Sequence, residues 1–181
     1  MRSIGLLFAL LLGAAPALAD LSALVVSEPT SRKDSLMVSR QALEAGLSRL
    51  AGQPVQVTMS DNLTDAMRAT RSGGYDLFIA PAQVAASALG HGYELVGATD
   101  AEEQYVLVGR NGVASAADMR KARIYLPQQD SIYTYLARGM LTSAGLSFKD
   151  LSQVEYARYP QAGLTAINLR LTEATVIRRS D

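Results

Sequence analysis

The sequence predicts an α/β fold of two lobes, each with a mostly parallel sheet flanked by helices. Three observations support this fold class. The apolar residues 77–79 are consecutive, as expected of a strand that is buried on both faces of a parallel sheet. Strand and helix patterns alternate between residues 21 and 98, and right-handed crossovers arrange such a series as a parallel sheet covered by helices. The alternation begins again at Gln104, which predicts a second lobe of the same plan.

The first lobe opens with a predicted strand at residues 21–26 and a helix. Leucines share one face of that helix, and a glycine and a proline close it: Leu36, Leu43, Leu47, Leu50, Gly52 and Pro54. A second apolar helical stripe runs from Leu63 to Thr70 and stops at Gly73. The remaining elements are strands at 55–59, 75–80 and 94–98 and a short helix that ends at Ala88.

The second lobe has the same alternation of strands and helices, with different residues at the helix ends. Ser115 and Asp118 have the spacing of a capping box, which predicts a short helical turn. A helix over residues 131–144 stops at Gly145, and Pro160 suits the first turn of another helix, whose apolar positions are Leu164, Ile167 and Leu171. Strands are predicted at 104–108, 124–126, 154–157 and 174–177.

Residues 1–19 have the pattern of a secretory signal peptide and are excluded from the predicted fold. Arg2 precedes a short apolar run at residues 4–12, and Ala17, Leu18 and Ala19 form a small-residue cleavage site. The apolar run is shorter than the roughly 20 residues that a membrane span requires. We therefore expect cleavage after Ala19 and a periplasmic protein.

Composition excludes several classes of function. The chain has no cysteine, so disulfides, thiolate metal sites and cysteine nucleophiles are excluded. The 17 basic and 17 acidic residues balance without blocks of like charge, which gives no support to nucleic-acid or membrane-surface binding. His91 is the only histidine, and no nucleophile or metal motif surrounds it. We expect a monomeric binding protein that is not an enzyme, without cofactor, metal or catalytic residue.

The ends of the predicted strands carry the first candidate site residues. Ligands of open α/β sheets bind beyond the carboxyl ends of the strands. This rule places Ser27 and Thr30 after the first strand, and Pro81 and Gln83 after the strand at 75–80, at a cleft between the lobes. The alternative is that these residues form ordinary turns, since proline commonly occupies the first turn of a helix.

The helix that begins at Ser131 is the candidate element for binding an anion. A helix N-terminus presents unpaired N–H groups and about half a positive charge. Ser131 and Thr134 would add hydroxyl groups, and Tyr133 or Tyr105 would stack on or hydrogen-bond to a ligand. The alternative is that Ser131 is only the N-cap. The carboxylate of Asp130 would repel a bare anion at this position.

Two arginines follow the last predicted strand. Arg178 and Arg179 could offer guanidinium groups to an anion. The alternative is that they are solvated charges near the end of the chain.

The stretches GGYDLFIAPAQVAASA and GYELVGATDAEEQYVLVGRNGVASAADMRKARIYLPQQDSIYTYLARGMLTSAGL resemble the substrate-binding proteins of phosphate, phosphite and phosphonate ABC transporters. The shared features are a Tyr-Asp-Leu strand followed by proline, a tyrosine-led hinge strand, a Ser-x-x-Asp turn and a serine turn that opens a helix. The resemblance covers roughly the whole mature chain. It implies the type 2 periplasmic binding fold, with lobes at 20–100 and 101–181 and a hinge strand near 99–104.

The sequence departs from this family in two places. The serine-rich turn reads Asp-Ser-Ile-Tyr-Thr from residue 130, and the missing glycine allows less room for close approach of a phosphonate to the backbone. The family also crosses back to the first lobe through further helices, and we expect this C-terminal return segment to be missing here. We expect either a fragment or a shortened protein.

The resemblance implies a solute-binding protein that captures a phosphate- or phosphonate-like oxyanion for an ABC permease. Closure of the lobes over the ligand would follow from binding energy that is available only in the closed state. The alternative is a sensory or accessory module of the same fold, which docks on a receptor kinase or redox partner without import. A regulator's effector domain would carry a helix-turn-helix segment instead of an export signal.

Overall fold

The computed structural model describes residues 20–28, 40–99, 102–110 and 112–180. The predicted signal peptide, Thr30, Leu36 and part of the predicted hinge lie outside these residues. We call residues 20–28 and 40–99 the N-terminal half, and residues 102–110 and 112–180 the C-terminal half. Within the described ranges, no helix is both long enough and apolar enough to cross a bilayer.

The N-terminal half contains one parallel sheet with the strand order β2-β1-β3. Its elements are β1 (Leu21–Val26), α1 (Arg40–Ala51), β2 (Val55–Ser60), α2 (Leu63–Ser72), β3 (Leu77–Ile79) and α3 (Ala82–Leu89). Asn62 caps α2 by accepting a hydrogen bond from the N–H of Asp65, and Gly73 ends the helix in the left-handed conformation. The predicted β-α-β-α-β series is confirmed as far as α3.

One strand prediction near the boundary of the halves is wrong. Residues 94–98 form no strand, and Leu95 and Val96 are 64% and 87% exposed. The run is apolar enough for a strand, but it pairs with no described strand and buries neither side chain. The predicted hinge near 99–104 stays a prediction, because part of it lies outside the described residues; its described part, Thr99 and residues 102–104, is not in a strand. Gln104 contacts Arg179 through one backbone hydrogen bond of 2.7 Å, and regular pairing begins only at Tyr105.

The C-terminal half contains a mixed sheet with the strand order β4-β7-β5-β6. Its elements are β4 (Tyr105–Gly109), β5 (Arg123–Pro127), α4 (Ile132–Ser143), β6 (Gln153–Ala157), α5 (Gln161–Asn168) and β7 (Ala174–Arg178), with short 3-10 turns at Ala116–Met119 and Phe148–Asp150. Strands β5, β6 and β7 are parallel, and β4 is antiparallel to β7. The predicted capping box of Ser115 and Asp118 is present. The prediction of mostly parallel sheets flanked by helices is confirmed.

The apolar core is distributed unequally. In the C-terminal half most of the buried apolar side chains form one cluster: Met119, Ala122, Ile124, Leu126, Tyr133, Ala137, Leu141, Leu146, Leu151, Ala174 and Val176. In the N-terminal half they form two smaller clusters on the sheet: Leu24, Val26, Leu63, Ala66 and Val84, and separately Ala23, Val55 and Val57. Leu50 and Leu171, predicted to face the core, are 86% and 54% exposed.

Candidate functional site

The carboxyl ends of the two sheets meet, as the sequence predicts, and the segments that follow the strands are in contact. The N–H of Leu63 donates to Gln128 Oε1 at 3.4 Å, and Gln128 Nε2 donates to the carbonyl oxygen of Asp61 at 3.3 Å. The hydroxyl of Thr64 donates to Asp130 Oδ2 at 2.8 Å. We call this boundary the junction, because hydrogen bonds between the halves cross it.

Glu28 makes the most informative contact at the junction. This residue follows β1, and its carboxylate oxygen Oε1 accepts a hydrogen bond of 2.7 Å from the backbone N–H of Ile132, the first residue of α4. That N–H is one of the donors that a helix cannot satisfy internally. The helix end therefore binds a carboxylate from the other half, which is the interaction that helix N-termini offer to anions in general.

Some features around Glu28 disfavour its charged form, and others favour it. Burial raises the pKa of Glu28, while the hydrogen bonds from Ile132 and Gln83 and the positive charge of Arg178 act in the opposite direction. The negative charge of Glu103 raises the pKa further. Arg178 is itself ion-paired with Glu103, at 2.9 Å between Nη1 and Oε1. Glu28 thus sits in a partly buried group of charges that depend on one another.

Gln83, one of the predicted site residues, lies at the centre of this contact. Its side-chain Nε2 donates to Glu28 Oε1 at 2.6 Å and to the carbonyl oxygen of Asp130 at 3.3 Å. Two acceptors on the same side fix the orientation of the amide, because the reversed amide would place oxygen against oxygen. Gln83 is only 6% exposed, and its Oε1 has no hydrogen-bond donor among the described residues. A buried acceptor without a donor is costly, so it marks a place where a ligand or water would bind.

Ser131 and Thr134 are buried and use their hydroxyl groups within the C-terminal half. Ser131 is the N-cap of α4: Oγ accepts from the N–H of Thr134 and donates to the carbonyl oxygen of Pro127 at 2.8 Å. The hydroxyl of Thr134 donates to the carbonyl oxygens of Pro127 and Gln128. The predicted N-cap is confirmed. Ligand contact by either hydroxyl stays a prediction, and it would require these internal hydrogen bonds to change.

The two tyrosines have different positions. Tyr133 is 2% exposed and belongs to the core, where its ring meets that of Tyr105 edge to face at 5.2 Å between centroids. Tyr105 is half-buried, and its hydroxyl donates to Glu103 Oε2 at 2.5 Å. Burial, together with this hydrogen bond, raises the pKa of Tyr105. Tyr105 is therefore linked to Glu28 through the charges of Glu103 and Arg178.

The remaining predicted residues are more peripheral. Pro81 precedes α3 without a side-chain cap, so it has the ordinary role of a strand-to-helix turn. Ser27 is exposed, and its N–H donates to the carbonyl oxygen of Ser60. Arg179 Nη1 donates to Gln104 Oε1 at 2.8 Å. Any direct contact of these residues with a ligand stays a prediction.

A shallow groove of about 540 Å³ opens beside the Glu28 contact. It is mostly apolar and is lined by Met67, Ala82, Gln83, Ala86, Ser87, Ile132 and Tyr135. Gln83 and Ile132 belong to both the groove and the contact. The geometry can therefore hold a small solute with one polar end at α4 and an apolar part along the groove.

Two of the most important residues, Glu28 and Glu103, were not among the predicted site residues. Their signal in the sequence is only position: Glu28 follows β1, and Glu103 precedes β4. His91 is exposed, and its Nδ1 lies 2.7 Å from the carbonyl oxygen of Ser87 within the same turn. Among the described residues, no group of three or more histidine, cysteine or acidic side chains is arranged to hold a metal ion.

Comparison with known families gives one match over most of the chain. A family model described as "ABC transporter, phosphonate, periplasmic substrate-binding protein" matches residues 25–180. No curated protein has a sequence that matches significantly.

Solved structures with the same architecture share little sequence with this chain. PhnD1 from Prochlorococcus marinus (MIT 9301), in complex with methylphosphonate, has a TM-score of 0.64 at 15% identity over 88% of this chain and 64% of that chain. A binding protein component of an ABC phosphonate transporter from Pseudomonas aeruginosa has a TM-score of 0.58 at 13% identity over 88% and 57%. XAC2383 from Xanthomonas citri, bound to ATP, has a TM-score of 0.62 at 13% identity over 91% and 66%.

These similarities establish the fold alone, because the identities are low. The fold is the two-lobed type 2 periplasmic binding fold, as the sequence predicts. This chain spans 64% of the length of the PhnD1 chain.

Proposed function

Since the chain belongs to the family of periplasmic substrate-binding proteins of phosphonate ABC transporters, we propose that it captures a small phosphate- or phosphonate-like oxyanion between its halves. An ABC permease of the inner membrane would receive the ligand. The family consists of substrate-binding proteins rather than enzymes, and the proposed role requires no chemical step. No observation favours the alternative of a sensory or accessory module.

The observation that supports this proposal is the hydrogen bond between α4 and a carboxylate. The N–H of Ile132 faces the junction and already holds an anionic oxygen at 2.7 Å. An N–H group that binds a carboxylate in this way also suits an oxygen of a phosphonate, because both groups present anionic oxygen acceptors. Gln83 Nε2 would supply a second donor, and the groove would hold an organic substituent.

We further propose that the halves act as lobes that close about the segment 99–104. Residues from both halves line the site, so a ligand gains its full set of contacts only in the closed state. Binding then shifts the population towards closure, and the permease would recognise the closed form. The same proposal includes cleavage after Ala19, residence in the periplasm and action as a monomer.

A ligand screen tests the proposed ligand class. The mature chain, from Asp20 onward, is heated with phosphate, phosphite, methylphosphonate, alkyl sulfonates or amino acids. A ligand at about 100 times its Kd stabilises the folded state by about 2.7 kcal/mol, which raises Tm by roughly 5–10 °C for a chain of this size. We expect this shift for phosphorus oxyanions. If only sulfonates or amino acids produce a shift, the ligand class is wrong, although the fold remains.

A backbone variant tests the role of α4 itself. Ile132→Pro removes the N–H that would bind the oxyanion, at the helix position where proline is best tolerated. The preceding residue, Ser131, already has the extended conformation that proline prefers before it (φ −74°, ψ 156°). We expect the Kd for the best ligand of the screen to rise by about tenfold to a hundredfold. Ile132→Ala trims a side chain that lines the groove but keeps the N–H, so it should weaken binding much less than Ile132→Pro does; equal losses in both variants would contradict the role of α4.

A further inference from the structure

We propose that Glu28 is a built-in competitor for the ligand, whose carboxylate occupies the oxyanion position at α4 in the ligand-free protein and holds the two halves together. This inference rests on the proposed function, because it concerns the same N–H group. It assigns to Glu28 a role in tuning both the affinity and the charge preference of the site.

The position of Glu28 supports competition rather than cooperation with an anion. Its Oε1 already accepts the hydrogen bonds that an oxyanion would require, from Ile132 N–H at 2.7 Å and from Gln83 Nε2 at 2.6 Å. A second acceptor cannot occupy the same place. An incoming oxyanion must therefore displace the carboxylate.

The charges around the contact would oppose a second anion even if space were available. Glu103 and Asp130 are the acidic neighbours, and Arg178 is the basic one. Arg178 is already ion-paired with Glu103, and the carboxylate of Asp130 is turned to the hydroxyl of Thr64. With Glu28 in place, an oxyanion at α4 would face a net negative environment.

The contact also joins the halves. Glu28 follows β1 in the N-terminal half, whereas Ile132 begins α4 in the C-terminal half, 104 positions further along the chain. Gln83 strengthens this link, because its Nε2 also donates to the carbonyl oxygen of Asp130. The halves are thus held together without ligand. When an oxyanion binds, it replaces the carboxylate of Glu28 at α4.

Gln83 indicates which polar groups would be available to a ligand once Glu28 has left. When Glu28 leaves, Gln83 Nε2 can donate to the oxyanion, while the buried Oε1, which lacks a donor among the described residues, can accept from a ligand O–H or N–H. The site then favours an oxyanion that also carries a hydrogen-bond donor. This chemistry includes both a phosphonate that retains one proton and one with an amino substituent.

Calorimetric titration of the full mature chain tests the competition. The probes are inorganic phosphate and methylphosphonate at pH 7.5, with wild type, Glu28→Gln and Glu94→Gln compared. Glu94→Gln is the matched control, because it removes the same charge from an exposed residue outside the junction. If the carboxylate occupies the site in about nine molecules of ten, its neutralisation lowers Kd by about tenfold. We expect this gain for Glu28→Gln and no change for Glu94→Gln.

The outcomes separate the two proposals. If wild type binds a probe but Glu28→Gln binds it no more tightly, the competitor role is overturned and the proposed function stands. If neither protein binds either probe, the proposed ligand class fails and the competitor role fails with it. An equal gain in affinity in Glu94→Gln would mean that the effect comes from the net charge of the protein, and it would also overturn the proposal.

A measurement without ligand tests the closing role. Small-angle scattering compares the radius of gyration of ligand-free wild type, Glu28→Gln and Glu28→Ala, with circular dichroism to verify that each variant is folded. We expect Glu28→Ala to be the most expanded, because it lacks any side-chain acceptor for Ile132, and Glu28→Gln to be intermediate. Equal radii for all three folded proteins would overturn the closing role.

Discussion

The two halves of the molecule differ in how completely each one builds its own core. The C-terminal half has a four-stranded sheet and one continuous buried cluster, whereas the N-terminal half has a three-stranded sheet and two smaller clusters on it. Because buried apolar area is the main source of stability, the N-terminal half should be the less stable of the two. It should therefore depend more on contacts across the junction, where Glu28 and Gln83 meet α4.

Core truncation offers the largest test of this comparison. Leu126 in β5 and Leu63 in α2 are both completely buried, one in each half. Each leucine-to-alanine change should cost about 2–5 kcal/mol of unfolding free energy. The half that is affected should differ. Leu63→Ala should weaken the half that we expect to be less stable, and Leu126→Ala should lower the stability of the C-terminal half towards that of the N-terminal half.

Hydrogen exchange in urea, read by peptide mass, follows each half separately. In wild type we expect the peptides of β1 and β2 to exchange before those of β5 and β7. Leu63→Ala should widen that separation, and Leu126→Ala should narrow or reverse it. Simultaneous exchange of all four strands in all three proteins would contradict the comparison.

Glycine-to-alanine substitutions within helices should have the next largest effect on the free energy of unfolding. One helical glycine in each half makes a matched pair. A Cβ at Gly163 in α5 would lie 2.7 Å from Thr175 Cβ, whereas a Cβ at Gly46 in α1 would meet nothing within 4 Å. Thr175 is fully buried and donates to the carbonyl oxygen of Tyr125, so it has little freedom to move. Gly163→Ala should cost about 1–3 kcal/mol through overpacking.

Gly46→Ala should have the opposite sign. Alanine is favoured over glycine inside a helix by about 0.5–1 kcal/mol, and nothing at this position opposes it. Urea denaturation of both variants measures the difference. Destabilisation by both substitutions would show that α1 is packed as tightly as α5, which contradicts the comparison between the halves.

The repeating elements of both halves could be predicted from the sequence because their signals are local. Apolar spacing, helix-stop glycines and the Ser115 capping box each depend on a few neighbouring residues, and the structure contains the helices and the capping box that they predict, although Leu50 and Leu171 do not face the core. Residues 94–98 show the limit of this reasoning. Their apolar pattern suits a strand, but a strand also requires a partner, and pairing is a property of the fold rather than of the segment.

The candidate site was predictable in place but not in detail. The rule about carboxyl ends of strands correctly brought Gln83 and the start of α4 together. For Ser131 the sequence left both capping and ligand contact open; the hydroxyl groups of Ser131 and Thr134 hydrogen-bond to Pro127 and Gln128, and ligand contact stays a prediction. The role of Glu28 was missed because its partner is distant in sequence, and no local pattern distinguishes this carboxylate from other polar loop residues.

Acid sensitivity should give a smaller effect, which Glu173 in the C-terminal half tests. In the C-terminal half, Glu173 accepts hydrogen bonds from both the backbone and the guanidinium of Arg123. These interactions lower the pKa of Glu173 to about 2, from 4.5. A carboxyl group with a depressed folded-state pKa contributes stability above its unfolded pKa and loses it as the pH falls. The contribution is therefore complete above about pH 5 and lost between pH 4.5 and 2.

Glu173→Gln should cost about 1–2 kcal/mol at pH 7, since the group is partly exposed and its ion pairs are screened. The difference from wild type should shrink below pH 4.5 and vanish near pH 2. Urea denaturation across this range measures it. A constant difference at all pH values would mean that Glu173 acts through packing rather than through its charge.

Two exposed ion pairs give the smallest effect and the finest test. Arg158 pairs with Asp61 across the junction, and Arg68 pairs with Asp65 within α2. All four side chains are more than half exposed, so each arginine-to-glutamine change should alter the free energy of unfolding by only about 0–0.5 kcal/mol.

The two variants should differ in which residues exchange their amide hydrogens faster. Arg158→Gln removes a contact between the halves, so it should loosen their coupling and speed exchange in the less stable N-terminal half. Arg68→Gln leaves the junction intact and should change exchange only within α2. If Arg158→Gln instead affects only the loop that carries it, the junction is held by Glu28 and Gln83 without help from exposed charges, and the N-terminal half depends on those two side chains even more strongly.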